Sequence, residues 1–304
     1  MQLRESFKSL LLVGLLFAAP AIAATSLNFH LEDRLSKLLD ANAPVAERQA
    51  AFDAFKKDAL AGDIAAQYFV GNLYRLGERL PGNIVGRDAD QAFRYLSTSA
   101  GHGFIIAMAK TAELELELKK PYEAMLWAQL YGHYEGYGDT KVNEANHRAR
   151  VGGYYAGLLR RAYAAFGSDE AQTLAMQADY LAFIEQHDAD IRAGMALGID
   201  ARTAVEPGKA PRAPQKLNFS SVKLGMPQHA QDDLGEFVVA FDAQGKTKEV
   251  LLFDFTPDLA IAADARDALR RVEAEPANDG IDALRYAWVP FNLQGFGTER
   301  IMRK

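Results

Sequence analysis

The stretch from Ala59 to Gly103 constrains the fold more than any other part of the chain, because it has the pattern of two packed helices and the start of a third. Between positions 65 and 74, apolar side chains recur at helical spacing, at Ala66, Val70 and Leu73. This spacing places them on one face of an α-helix. The face predicts a helix that packs against a neighbour.

The same stretch contains the signals that separate its helices. Pro81 and Gly82 end the first helix, Asp88 or Asp90 caps the second, and Gly101 ends it. Two helices of this length cannot bury their apolar faces alone. The stretch therefore predicts further helices of the same kind on either side.

The residues of this stretch resemble a Sel1-like repeat, which is a relative of the tetratricopeptide repeat. The matching residues are Ala66, Gln67, Gly71, Tyr74, Gly77, Asp90, Ala92, Tyr95, Ala100 and Gly101. A second unit, from Gly101 to about Gly138, matches through Ala124, Trp127 and Ala128. The resemblance implies an N-terminal α-α solenoid over residues 24–201. Its concave surface would bind a protein or peptide partner, with Tyr68, Tyr74 and Tyr95 as the candidate lining.

Residues 1–23 have the pattern of a secretory signal peptide. Arg4 and Lys8 precede an apolar run from Leu10 to Ala19, and small residues at positions 21 to 23 supply a cleavage site. An uncleaved membrane anchor is the alternative. However, about fourteen apolar residues interrupted by Pro20 fall short of the roughly 20 that span a bilayer.

The absence of cysteine favours the periplasm of a Gram-negative bacterium, because it excludes disulfides, cysteine metal ligands and a lipoprotein anchor. Loss of residues 1–23 would change the formal charge from −6 to −7. A nucleic-acid partner requires a clustered excess of Lys and Arg, which the sequence lacks. Contact with a membrane is expected only if the signal segment is retained.

Further helices are predicted up to about residue 198. The segment 111–120 alternates Leu and Glu as a strand would, but the neighbouring helical repeats favour a helix. Two helices are indicated at 158–166 and 174–184. Residues 202–216 contain three prolines and no apolar period, which indicates a linker.

Residues 217–304 are predicted to form a small two-layer α/β domain. A β-hairpin is indicated by strands at 236–242 and 248–255 around a Gly245 turn. A helix follows at 261–272, and a last strand at 284–293 contains Pro290, which only an edge or a bulge tolerates. Together with the helical repeats, this β-β-α-β order predicts a multidomain α+β protein.

This C-terminal order resembles the C-terminal domain of TonB-family energy transducers. The matching positions are Asp242, Gly245, Lys246, Pro257, Asp258, Ala262 to Arg271, Glu275, Pro276, Asp279, Gly280 and Val289 to Phe291. If the last strand is a sheet edge, an extended peptide can add to it by main-chain hydrogen bonds. Pockets for its side chains would come from Arg285, Tyr286, Trp288 and Phe291. The resemblance implies the same mode of binding.

No catalytic, cofactor-binding or metal-binding set stands out in the sequence, which has none of the common hydrolase, nucleotide or zinc motifs. Glu113 and Glu117 share a helix face, as catalytic carboxylates sometimes do, but a solvated face is the simpler interpretation. His187 and its acidic neighbours point in different directions on a helix. A solvated polar turn is therefore favoured over a metal site.

The sequence therefore predicts a non-catalytic periplasmic protein that binds or scaffolds other proteins and needs no cofactor. One alternative is a transport component that passes force or a signal to an outer-membrane receptor through the last strand. The other is a hydrolase acting on cell-wall material, with the helical repeats as its substrate groove.

Overall fold

The computed structural model describes residues 30–135, 153–167, 169–203, 217–218, 233–259, 261–277 and 283–292. Over these residues the protein is α+β, as predicted: helices come first and small antiparallel sheets follow. The predicted signal peptide lies outside the described residues. So does most of the predicted linker, of which Arg202 and Thr203 form the end of the last N-terminal helix.

Eight α-helices make up the described N-terminal part. They are α1 (His30–Leu39), α2 (Val45–Leu60), α3 (Ile64–Leu76), α4 (Ala89–Gly101), α5 (Ile105–Glu117), α6 (Pro121–Tyr134), α7 (Tyr154–Phe166) and α8 (Glu170–Thr203). From α1 to α7 each helix packs against the next, and α8 packs on α4 and α6. The ambiguous segment 111–120 is helical up to Glu117, which confirms the interpretation from context. None of the described helices is both long and apolar enough to span a membrane.

The α3–α4 pair follows the signals in its sequence. The side chain of Asp63 accepts a hydrogen bond from the Ala66 amide at the start of α3. Asp88 does the same for the Gln91 amide at the start of α4, so Asp88 is the cap. The predicted apolar face of α3 is fully buried. The two helices pack closely at Gly71, which has no side chain. A Cβ placed there would lie 2.8 Å from Leu96 Cγ.

The C-terminal part is built around a three-stranded antiparallel sheet. Its elements are β1 (Leu217–Asn218), β2 (Leu234–Phe241), β3 (Thr247–Thr256), α9 (Ile261–Leu269), β4 (Glu273–Ala274) and β5 (Arg285–Asn292). The strand order is β3-β2-β5, and β1 pairs separately with β4. The predicted hairpin, helix and last strand are confirmed within one to three residues at each end, with α9 stopping three residues short.

The sheet is covered on both faces. Every residue of the central strand β2 is buried, although its side chains alternate between the two faces. Helix α9 packs on β2 and β3, while α1 packs on all three strands. The helical part and the sheet therefore share a buried interface.

Candidate functional site

A β-bulge in β3 brings the side chains of Phe253 and Asp254, which are neighbours in the chain, to the same helix, α3. Glu236 pairs with Asp254, but Phe237 pairs with Leu252, so Phe253 is an extra residue in the ladder. Regular strand residues alternate between faces, whereas a bulge breaks this alternation. The Phe253 ring lies 5.2 Å from the Phe69 ring of α3, and Asp254 contacts the same helix.

The Glu236 carboxylate is the point where the helical part and the sheet meet. Tyr68 of α3 donates its hydroxyl to Glu236 Oε2 at 2.6 Å. Trp288 of β5 donates its indole N–H to the same oxygen at 3.0 Å. The rings of Tyr68 and Trp288 are 6.1 Å apart in an edge-to-face arrangement, and Phe104 packs against both. Tyr68 is fully buried, while Trp288 is half-buried.

Two cations from the helices neutralise the two carboxylates of the sheet. Lys110 Nζ of α5 lies 2.7 Å from Glu236 and 3.0 Å from Asp254. Arg75 of α3 donates to Asp254 at 2.5 Å. The side chains of Lys110, Glu236 and Asp254 have no solvent exposure, and that of Arg75 has 2 %. We call Tyr68, Arg75, Lys110, Glu236 and Asp254 the interface cluster.

Burial and charge act in opposite directions on this cluster. Burial raises the pKa of Glu236, and the nearby charge of Asp254 adds to the rise while Lys110 opposes it. Burial and the negative charge of Glu236 also raise the pKa of Tyr68 well above its ordinary value, so Tyr68 remains a hydrogen-bond donor. Burial alone would lower the pKa of Arg75, but the carboxylates of Asp254 and Glu117 raise it overall.

A further buried carboxylate, that of Glu113, lies beside the interface cluster. Glu113 accepts hydrogen bonds from the Tyr154 hydroxyl at 3.1 Å and from Arg161 at 2.6 and 2.7 Å. The Lys110 ammonium lies 5.7 Å from the centre of the Tyr154 ring. Glu113 is only 4 % exposed, so the solvated face expected from the sequence is wrong for this residue.

The interface cluster is arranged to hold the sheet against the helices. Each carboxylate faces at least one cation, which is what makes burial of such charges tolerable. Because the side chains of Lys110, Glu236 and Asp254 are inaccessible to solvent, a substrate cannot reach them in this conformation. Among the residues that the structure describes, no group of three or more His, Asp or Glu side chains could hold a metal ion.

Comparison with known proteins identifies no relative of this chain. No protein-family model, curated protein or solved structure matches the chain. The resemblances to Sel1-like repeats and to the TonB C-terminal domain therefore stay predictions.

The candidate tyrosines of the helical part do not act as one group. Tyr68 is joined to the sheet through Glu236. Tyr74 and Tyr95 instead stack on each other, with ring centres 6.3 Å apart and planes within 8°. Tyr74 also meets the edge of the Phe52 ring, and Tyr95 is 8 % exposed.

The candidates of the last strand all lie in β5. Arg285 is buried and donates to the Ala283 carbonyl, while Tyr286 is half-buried. Phe291 belongs to the strand, but its side chain lies outside the described residues. In the described part of the chain, β5 pairs with β2 alone, so it is an edge of the three-stranded sheet.

The charged members of the interface cluster were not predicted from the sequence. Their signal is a single charge inside an apolar run: Lys110 follows Phe104 to Ala109, Glu236 stands in an apolar strand, and Asp254 interrupts Leu251 to Phe255. A charge at such a position is almost never fully buried without a partner. Which charges pair with each other depends on contacts between residues more than a hundred positions apart.

Proposed function

We propose that this protein is a non-catalytic, periplasmic binding or scaffold protein that captures an extended protein segment on the edge strand β5. The observation that supports it best is that β5 pairs on one side only within the described sheet. In this proposal the helices are a Sel1-like solenoid that acts as a platform, and the sheet belongs to a TonB-like domain. The interface cluster joins the two.

Pro290 indicates which groups of β5 are available to a partner. Proline has no N–H for the ladder with β2, so its nitrogen must face away from that strand. Because the orientation of the backbone alternates, Tyr286 and Trp288 also direct their N–H and C=O groups outward. Their half-buried side chains lie next to this edge. An added strand would find both donors and acceptors there.

The contact between Tyr68 and Glu236 favours β5 over the surface of the helices as the binding site for a partner. Tyr68 is one of the three tyrosines predicted to line a partner groove, but its ring and its hydroxyl are covered by the chain's own sheet. To reach it, a partner would have to displace Glu236 from two hydrogen-bond donors, Tyr68 and Trp288, and from its ion pair with Lys110. The edge of β5, which has no second partner strand among the described residues, requires no such exchange.

A transport component that contacts an outer-membrane receptor through β5 is the second candidate. The β-β-α-β order of the main sheet favours it. It needs an N-terminus that stays attached to the inner membrane. A mass measurement on the protein from cells separates the two candidates, because cleavage near Ala23 removes the anchor.

Site-specific photo-crosslinking tests the proposed function. A benzophenone amino acid would replace Leu284, which adjoins β5 and is 39 % exposed, and Leu60 of α2, which is 73 % exposed, as the control. Discrete adducts from position 284 that are absent at position 60 support capture at the edge strand. Equal labelling at both positions, or an enzymatic turnover that one point substitution abolishes, would overturn the proposal.

A further inference from the structure

Three arginines surround one carboxylate at the end of α5. Arg79 donates through Nη2 to both oxygens of Glu117, at 3.0 and 2.9 Å. Arg87 donates through Nη2 to Oε2 at 2.9 Å, and Arg75 donates to Oε1 at 3.2 Å from the buried side. Glu117 is the last residue of α5, where the helix dipole disfavours a negative charge. The positive charges of the three arginines compensate for the unfavourable interaction between the Glu117 carboxylate and the helix dipole.

The inner edges of Arg79 and Arg87 are also fixed by the end of α3. Arg79 donates to the carbonyls of Arg75 and Leu76, at 3.0 and 3.4 Å, and Arg87 donates through Nε to the Arg75 carbonyl at 3.3 Å. These carbonyls lie at the C-terminal end of the helix, where the guanidinium groups act as caps. The connecting turn is held in place by Asn83, which donates to the Leu73 and Gly77 carbonyls.

The outer edges of the same two arginines face solvent. The side chains of Arg79 and Arg87 are 43 % and 40 % exposed. Neither Nη1 group has a hydrogen-bond partner among the residues that the structure describes. A guanidinium group carries five N–H donors in a rigid fork that matches a carboxylate. Because the inner edges are fixed, little side-chain entropy is lost when the outer edges bind.

Arg79 and Arg87 together pair with a single carboxylate, Glu117, although exposed Glu78 and Asp88 adjoin them in the chain. The cations Arg75, Arg79, Arg87 and Lys110 are connected through ion pairs to only three carboxylates, which are Glu117, Glu236 and Asp254. Exposed Lys119 and Lys120 follow Glu117 after one residue, and Lys120 also pairs with Glu115. On the other side, exposed Glu78 approaches Gly86. The rest of the protein is acidic, with a formal charge of −6 for the whole chain.

We propose that Arg79 and Arg87 form a receptor for a carboxylate of an acidic segment in the protein partner. The inference rests on the proposed function, since it assigns a second contact to the same partner. Arg79 and Arg87 would bind the incoming group through their Nη1 edges, while the carbonyls at the end of α3 keep the two guanidinium groups in place. The general charge of the protein repels an acidic peptide, so binding has to come from a local site.

The test measures binding of a fluorescein-labelled hexaglutamate peptide to the purified full chain by anisotropy at low ionic strength, with hexaglutamine as the neutral probe. We expect hexaglutamate to bind and hexaglutamine not to bind. The double variant Arg79→Gln/Arg87→Gln should lose affinity about tenfold, because it removes two charge-assisted contacts. The matched control is Arg94→Gln/Arg270→Gln, which removes the same charge from exposed arginines on α4 and after α9.

A third variant keeps the test independent of folding defects. Glu117→Gln removes the internal carboxylate and should raise the affinity for hexaglutamate about threefold or more, which a misfolded protein cannot do. Equal loss in the control variant, no binding of hexaglutamate, or lower affinity in Glu117→Gln would overturn the proposal. Inorganic phosphate that binds through Arg79 and Arg87 while hexaglutamate does not would also overturn it. Photo-adducts at position 284 that persist in such a case leave the proposed function standing.

Discussion

At the scale of single residues, the protein depends on charges that are buried and paired. Lys110 contacts both carboxylates of the sheet, Glu236 and Asp254. Arg75, the other cation of the cluster, contacts only Asp254 of these two. A buried pair adds little net stability compared with apolar residues, but removal of one partner leaves an uncompensated charge. The effect of a substitution in the cluster should therefore be much larger than that of the same substitution on the surface.

Substitution of Lys110→Met should lower the free energy of unfolding by about 3–5 kcal/mol, because Glu236 and Asp254 then share the interior with only one cation. Urea denaturation followed by circular dichroism measures this change. Lys57→Met, at an exposed position on α2, is the control and should change the value by about 0.5 kcal/mol or less. Similar effects of the two substitutions would show that the interface cluster does not stabilise the fold.

Glu115 predicts a dependence of stability on pH. Burial raises the pKa of its carboxyl from 4.5 to about 7, and Glu123 adds to the rise while Lys120 opposes it. The native state therefore binds the proton more tightly than the unfolded chain does. The stability that this group contributes is fully present below pH 4.5 and is lost as the pH rises through about 7.

Glu115→Gln should remove this loss. Relative to the unmodified protein, the variant should gain roughly 2–3 kcal/mol in unfolding free energy between pH 4.5 and pH 8. Denaturation curves at the two pH values give the difference. Because burial also raises the pKa of Glu236, only the difference between variant and unmodified protein isolates Glu115. A constant difference at both pH values would contradict the assigned pKa.

At the scale of elements, local signals were sufficient to predict most of the fold. The caps and glycines of the α3–α4 pair and the Gly245 turn of the hairpin act over a few residues, so the sequence reveals them. The bulge that redirects Phe253 and Asp254 has no such local signal. The bulge is stabilised by contacts of Phe253 and Asp254 with α3. These contacts join distant parts of the chain, so they could not be predicted from the sequence. The meeting of Tyr68 and Trp288 on Glu236 was missed for the same reason.

The close contact between α3 and α4 gives a prediction at this scale. Gly71→Ala should destabilise the protein by about 1–3 kcal/mol, because the new Cβ would lie 2.8 Å from Leu96 Cγ and 3.0 Å from the Leu96 amide nitrogen. Gly101→Ala is the matched control, since a Cβ there meets nothing within 4 Å. It should be neutral or slightly stabilising. Thermal or urea unfolding of the two variants checks this, and equal destabilisation would contradict the close packing.

At the scale of the whole molecule, the central claim is that the helices and the sheet form one cooperative unit. The interface cluster connects α3 and α5 to β2 and β3, and α1 packs on all three main strands. Two parts joined only by a linker would unfold independently. Parts that share a buried network of charges should lose their structure together.

Unfolding of a chain with a single tryptophan tests this claim most directly. The sequence contains only Trp127 and Trp288, so Trp127→Phe leaves Trp288 as a fluorescent reporter on the sheet. Far-UV circular dichroism of the same sample reports mainly on the helices. We predict that the two signals give the same urea midpoint, and that Lys110→Met in this background lowers both midpoints together. Separate midpoints without the Lys110 substitution would contradict the account.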